Sequence, residues 1–550
     1  MGRWPVRAMR RQHSIETLAV MDTSRLLLVR ALRRLLLAAA VAATGVGCAS
    51  LPEPVDRPHS AAVDMADADT PLARTVRDST PAHADNRSGF RLLADGDHAF
   101  DARLALARRA QRSLDIQYYL IADDDIGRRF AAELRAAAVR GVRVRLLVDD
   151  LYAGQSERLL DALAATPNIE VRLFNPLPAR SGSPAGRVLK SLFEFDRINR
   201  RMHNKLFIAD STLAITGGRN IADDYFKRGE ASNFIDMDTL VSGAAVPELA
   251  QLFDRFWNSR QAYGLDALRK APPTEASPLG DALADLPLTA FDRFGRAPVS
   301  AQLAAGRIDL HFADARLLAD SPEKADADGA DADGADADSP APTPALESAL
   351  QAMLAARSEV LLATPYLVPG PRGLELMRRA RDNGVRVVMM TNAFAATDEP
   401  LVHWGYARYR SQMLQLGVEL YELSPTVGRS ALARGETGSS LGRLHAKLAV
   451  IDRQRLLVGS MNMDARSMRS NTELALLIES PALADEVART LQRDRETSTY
   501  RLRAGARPAG VEWVESHAGR EVVHHEEPDA GWATRLKLNL LSMFVAEELL

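Results

Sequence analysis

Apolar and polar positions along this chain change period in a recurring order. SLDIQYYLI (113–121) reads as a strand. IGRRFAAELRAAAVRG places its apolar residues at helical spacing and stops at Gly141, and VRVRLLVDD (142–150) is a nearly continuous apolar run with a polar end. Short apolar runs mark strands, and recurrence at i, i+3 and i+4 marks helices. A helix over 155–165 and the strand NIEVRLFNP follow. The order then returns: SEVLLATPYLVPG as strand, GLELMRRARDNG as helix, VRVVMMTNA and GVELYELSP as strands. Gly141 answers Gly384, 243 positions on, and Pro176 answers Pro425, 249 on. Strand, helix, strand in succession predicts a largely parallel sheet covered by helices, here in two copies of one α/β unit.

The segments between these patterns set expected boundaries: a first unit over 88–270, a connection over 271–345, a second unit over 346–500, and a C-terminal extension over 501–550 packed on the core. Within the connection, KADADGADADGADADSPAPTP is acidic, repetitive and poor in apolar residues, so 320–345 is expected to be a disordered insert. Residues 49–87, rich in Pro, Asp, Ala and Ser, are expected to form a flexible tether. Ahead of them Arg30, Arg33 and Arg34 precede an apolar run from Leu35 to Ala43. That run is shorter than the roughly 20 residues that span a bilayer, and it reads as a secretory leader over 1–48. It ends in GVGC, which resembles the lipobox of bacterial lipoproteins. Lipidation at Cys48, the one cysteine, and a membrane-anchored place in the cell envelope facing the periplasm are expected from it.

The chain has 550 residues, 46% of them apolar, which excludes wholesale disorder. Its 69 basic and 72 acidic side chains give a net charge of −3, and a protein that coats nucleic acid usually carries an excess of cations. No nucleic-acid partner is expected.

Chemistry enters with two short strings. RMHNKLFIAD carries His203, Lys205 and Asp210; RLHAKLAVID carries His445, Lys447 and Asp452, and the histidines are 242 apart, the period of the repeat. GGRN and GSMN each begin 14 residues after their histidine, which puts Asn220 and Asn462 each 17 after. In an extended chain the His and Lys of one string share a face, because strand side chains alternate. Gly218, Ser460, Asn220 and Asn462 can offer N–H donors to an anionic oxygen, and glycine lets backbone approach a ligand closely. Two imidazoles, two ammonium groups and amide donors suit a phosphoryl group. One imidazole attacks phosphorus, the other protonates the leaving alkoxide and later deprotonates the entering alcohol or water, and the cations stabilise the oxygens. Each histidine needs its second nitrogen held, and Asp238 and Glu473, on the strands that follow, are the expected acceptors. For Asp210 and Asp452 a turn-shaping role stands beside a catalytic one. The neighbouring lysines oppose a bound cation, so neither metal nor cofactor is expected.

These strings are the H-x-K-x₄-D motif of the phospholipase D superfamily, which the chain resembles from about residue 88 to 530. LDIQYYLI, VRLLVDDL, INRRMHNKLFIAD, GGRNIADDYF, VHWGYARYR and LHAKLAVID look most like the bacterial cardiolipin synthase C group. The resemblance implies two tandem phospholipase D-like domains with the active site at their interface, no metal, and a phosphohistidine intermediate. By position it makes His203, Lys205, Asp210, His445, Lys447 and Asp452 the catalytic set. The motif leaves open which histidine attacks; His203 is favoured as nucleophile and His445 as acid/base. The implied activity is phosphatidyl transfer that makes cardiolipin, with phosphatidylglycerol as substrate and phosphatidylethanolamine as a second candidate at a membrane surface. Hydrolysis to phosphatidic acid is the alternative, and a nuclease of the same superfamily a remoter one.

Overall fold

A computed structural model describes residues 51, 59–64, 69–84, 86–179, 186–187, 191, 194–268, 286–326, 344–424, 441–505, 510–517, 520–528 and 531. The two expected units are two large mixed sheets. Across the first run Ile169–Phe174, Arg143–Asp149, Ser113–Tyr118, Leu206–Ala209, Leu213–Gly217 and Asp238–Gly243. The first three of these are parallel, and every later pairing is antiparallel. Glu419–Leu423, Arg386–Asn392, Glu359–Ala363, Leu448–Ile451, Arg455–Gly459 and Leu474–Ile478 repeat that order and those directions in the second. The parallel strands need helical crossovers. Asp125–Val139 and Gly370–Asp382 supply the first of these in each half, on the helical spacing seen in the sequence.

The edges differ. Ser88–Leu93 and Ala315–Ala319 extend the two sheets at equivalent places. His311–Ala313, two residues before Ala315, still belongs to the first sheet, so the chain passes from one sheet to the other there. Thr499–Ala504, Val511–His517 and Arg520–His524 add a meander to the second sheet alone.

Each sheet has one face under its own helices and the other turned toward the partner sheet. The shared layer packs Ala214 and Val241 of one sheet with Val458 and Leu476 of the other, together with Phe253 from helix Ala245–Trp257 and Val487 from helix Pro481–Ser498.

The tether needs a correction. Pro71–Ser79 is a helix, begun by proline at its first position and by Thr70 Oγ1, which accepts the Ala73 N–H at 3.2 Å. Leu72 is buried in the first core, and Ala62 N–H reaches Asp254 at 2.8 Å. Leu72 and Val76, four residues apart, both pack on that core, but two apolar positions are too short a pattern to stand out from the polar composition around them. The leader, Cys48 and most of the acidic insert lie outside the described residues.

Candidate active site

Two pairs of very short strands stitch the halves together, and they position the site. Arg201–Met202 runs parallel to Asn471–Thr472, with Met202 opposite Thr472; Ser232–Ile235 runs parallel to Leu441–Leu444, with Ile235 opposite Leu444. The residue after each strand carries the chemistry. His203 thereby comes opposite Glu473, and His445 opposite Asp236. Backbone bonds fix the register: His203 N–H donates to the Thr472 carbonyl at 3.0 Å, and His445 N–H to that of Ile235 at 2.8 Å. The side chains then bond across the interface, His203 Nδ1 to Glu473 at 3.0 Å and His445 Nδ1 to Asp236 at 2.6 Å. Each histidine is held by a carboxylate from the other half. With Nδ1–H donated to a carboxylate, each ring keeps its lone pair on Nε2.

Each lysine follows its histidine by two residues, just ahead of the next strand, Leu206–Ala209 or Leu448–Ile451. Lys205 Nζ donates to the His203 carbonyl oxygen at 2.7 Å and lies over the Tyr119 ring. Lys447 Nζ donates to the His445 carbonyl oxygen at 2.6 Å and lies 3.0 and 3.1 Å from the two nitrogens of the His445 ring, a position over the ring face. All six groups are buried. Burial disfavours charge, and it lowers His203 to about 4 against the opposing pull of Glu473. His445 is lowered as well, by burial and then by Lys447. Burial also lowers Lys205 well below an ordinary lysine, and brings Lys447 down to about 8. The carboxylates go against their burial: His445 and Lys447 hold Asp236 down at about 2, and His203 and Lys205 lower Glu473. Glu473, which holds His203, also accepts Ser460 Oγ, and the neighbouring Gly459 N–H donates to the Lys447 carbonyl oxygen at 3.2 Å, so the two strings meet in one site. Burial thus favours neutral imidazoles with Nε2 lone pairs and makes both lysines easier to neutralise than ordinary ones.

The family described as "Cardiolipin synthase, PLD-like domain" matches residues 104–257 and 349–495. Cardiolipin synthase C of Escherichia coli K12 is 36% identical over 463 residues, 82% of this chain and 94% of its own length. Cardiolipin synthase A of Pseudomonas fluorescens Pf-5 is 27% identical over 425 residues, 75% of this chain and 69% of its own. The chain belongs to this phospholipase D-like family. Phosphatidylserine synthase of Haemophilus influenzae Rd KW20, a solved structure, shares 15% identity at a TM-score of 0.49, covering 86% of this chain and 97% of its own.

In this phospholipase D-like chain several expected residues stand elsewhere than the sequence reading put them. Asp238 holds no histidine. Its carboxylate takes Arg103 at 2.9 Å and Arg219 at 3.3 Å, because strand pairing of Gly217 with Asp238 and of Gly459 with Ala475 makes Asp236 the true counterpart of Glu473. Asp210 and Asp452 sit at the far ends of the hairpins, five residues past the lysines, about 16 Å along an extended strand. Asp210 accepts the backbone N–H groups of Gln111, Arg112 and Ser113, and Asp452 those of Arg357, Ser358 and Glu359. Both are turn anchors, each followed by a second residue in the left-handed region.

The expected phosphate donors are partly occupied. Gly218 N–H bonds the Met237 carbonyl and Ser460 N–H that of Leu474. A Cβ on Gly218 would fall 2.2 Å from Asp236 Oδ1, so this glycine makes room for the carboxylate. Ser460 Oγ and Ser467 Oγ both donate to Glu473, at 2.5 and 2.8 Å, and fix it. Asn220 Nδ2 donates to Tyr225 Oη at 2.9 Å, and that phenol lies 3.5 Å from His445 Nε2. The Asn462 backbone N–H meets Ser467 Oγ at 3.1 Å. Asp236, Tyr225 and Ser467 were missed. Only the strand register would have found Asp236. His403, in VHWGYARYR, bonds Glu527 and Arg410, each at 2.7 Å.

Proposed function

We propose that the protein transfers the phosphatidyl group of one phospholipid to a hydroxyl of another, with phosphatidylglycerol as acceptor, phosphatidylglycerol or phosphatidylethanolamine as donor, and cardiolipin as product. The crossed histidine–carboxylate pairs are the observation that carries this reading. His203 Nε2 attacks phosphorus, the P–O bond to the leaving headgroup breaks, and an N–P bond forms. His445, protonated at Nε2 as the phosphate anion arrives, gives that proton to the departing alkoxide. It then takes the proton of the entering hydroxyl, whose oxygen attacks phosphorus and releases His203. Lys205 and Lys447 stabilise the non-bridging oxygens. The resting state supports this division: Nε2 of His203 meets no partner among the described residues, while that of His445 faces Tyr225.

The chain is a phosphatidyltransferase of phospholipids in this reading, and water in place of the second lipid would turn the same steps into hydrolysis. Lipidation at Cys48 would hold it to the envelope membrane with its site toward the periplasm; among the described residues no helix is long and apolar enough to cross a bilayer. The test uses membranes and purified full-length protein with phosphatidylglycerol vesicles, with and without phosphatidylethanolamine, read by mass spectrometry of lipids and of the intact chain. Cardiolipin and a diacylglyceryl adduct on Cys48 are expected. Phosphatidic acid alone would make it a hydrolase, and cleavage of DNA without lipid turnover would make it a nuclease.

A further inference from the structure

The duplicated fold allows each packed position in one half to be compared with its counterpart in the other. In the first half the space between helices Gly96–Arg109 and Asp125–Val139 and their sheet is filled by rings. Phe100 and Phe226 lie 5.0 Å apart, and Tyr118 and Phe130 meet edge to face at 6.2 Å. The two turn anchors pair Ser113 with Glu359, which sets Tyr118 against Thr364 and, counted back along the chain, Phe100 against Leu346; Gly141 and Gly384 set Phe130 against Gly373, and Gly217 and Gly459 set Phe226 against Met468. Every one of the second-half residues is smaller or more flexible than its partner. Between helices Pro344–Leu354 and Gly370–Asp382 the second half accordingly has a cleft where the first has a packed core.

Leu346, Leu350, Met353, Leu376 and Met463 are among the residues that line this cleft, and its one charged lining residue, Arg372, is turned to Glu347 at 2.7 Å. Protein interiors are packed nearly as densely as organic crystals, and an unfilled apolar space costs stability. Methionine adapts to ligands of variable shape.

The cleft shares a wall with the site. The Tyr366 ring centroid lies 6.0 Å from Lys447 Nζ, while the next residue, Leu367, lines the cleft beside its bridge partner Met463, which follows Asn462. The two segments are bonded, Val368 N–H to the Met463 carbonyl at 2.7 Å and Met463 N–H to that of Tyr366 at 3.2 Å. We propose that this cleft takes one acyl chain of the phospholipid whose phosphate is held by the two histidines. The inference rests on the phospholipid reading, because phosphate and chain are then one molecule and a chain must leave the site along some apolar path.

Full-length protein with Leu350→Trp or Met353→Trp fills the cleft and leaves the histidines untouched. With dioleoyl phosphatidylglycerol vesicles kcat/KM should fall at least tenfold, while soluble dihexanoyl phosphatidylglycerol is turned over as before and the melting temperature holds or rises. An equal fall for both lipids, or none for either, overturns the proposal. Photolabelling of the wild-type chain, with phosphatidylglycerol carrying a diazirine at the chain end, decides independently of activity and of how the variants fold. Label on 346–380 supports it. Label elsewhere, with cardiolipin still formed, overturns the cleft and leaves the reaction standing; absence of any lipid turnover overturns the reaction instead.

Discussion

His203 and His445 are the same residue in two copies of one unit, yet their surroundings differ. Tyr119 meets the His203 ring edge-on at 5.2 Å and leaves Nε2 without a partner among the described residues. His445 is enclosed by Tyr225 and Phe234, with ring centroids at 5.0 and 4.8 Å, and its Nε2 faces the Tyr225 phenol, which Asn220 supports. The counterpart of Tyr225 in the second half is Ser467, which buttresses Glu473 instead. Duplication made two equivalent imidazoles, and later substitutions separated an open one, suited to attack, from a capped one, suited to carry a proton.

The sharpest way to break that assignment is a substrate whose leaving group needs no proton. With a 4-nitrophenyl phosphodiester lipid, His445→Ala should release a stoichiometric burst of nitrophenolate and stall as a phosphohistidine, while turnover of phosphatidylglycerol falls by about 10²–10⁴. His203→Ala should give no burst and lose about 10⁴-fold or more. A burst from His203→Ala would exchange the roles. The crossed carboxylates extend the test. Glu473→Gln, in the second half, should slow the burst that belongs to the first, and Asp236→Asn should leave the burst and slow turnover, each by about 10- to 100-fold. If each carboxylate variant impaired the histidine of its own half, the cross-interface geometry would be wrong.

A second distinction is in the pH profile. His203 attacks only when neutral, and with its ring held at about 4 the acid limb of kcat/KM should lie near that value, about tenfold per unit below it. The lysines serve only when charged. His445, the acid, serves only when protonated and is lowered too; with Lys447 down at about 8 and Lys205 well below its ordinary value, activity should decline as pH rises toward and through 8. Soluble short-chain lipid keeps vesicle charge out of the measurement. An acid limb near 6.5, an unshifted histidine, would contradict the burial that sets these values.

The two strings, their spacing and the strand–helix–strand order were legible because they are local: period, turn and motif sit within a few residues of one another. What decided the rest was pairing between segments hundreds of residues apart. Asp238 and Asp236 are indistinguishable as hydrogen-bond acceptors in the string DMD, and only the meeting of Ile235 with Leu444 selects Asp236. Gly218 and Ser460 looked free to bind phosphate because the sequence does not reveal that the Met237 and Leu474 carbonyls accept their N–H groups. The cleft was invisible for a further reason. Phe130 and Gly373 are unremarkable singly, and only the aligned halves show what is missing.

The smallest effect separates the two turn anchors, which the motif treats alike. Asp210 is fully buried, and removing its carboxylate strands three backbone N–H groups that water does not reach easily. Asp452 makes the same bonds, with Ser358 Oγ added at 2.8 Å, but at a partly exposed turn where water can replace it. Burial would raise the Asp452 carboxyl, and those N–H groups outweigh it and leave it lowered. Asp210→Ala should therefore cost about 3 kcal/mol and Asp452→Ala about 1 kcal/mol in denaturant unfolding. In both variants the rate per folded molecule should stay within about twofold, since neither carboxylate reaches the histidines. A loss of turnover comparable to that of His445→Ala, in protein shown to be folded, would return these aspartates to the chemistry and make the distance along each hairpin the part of this account to abandon.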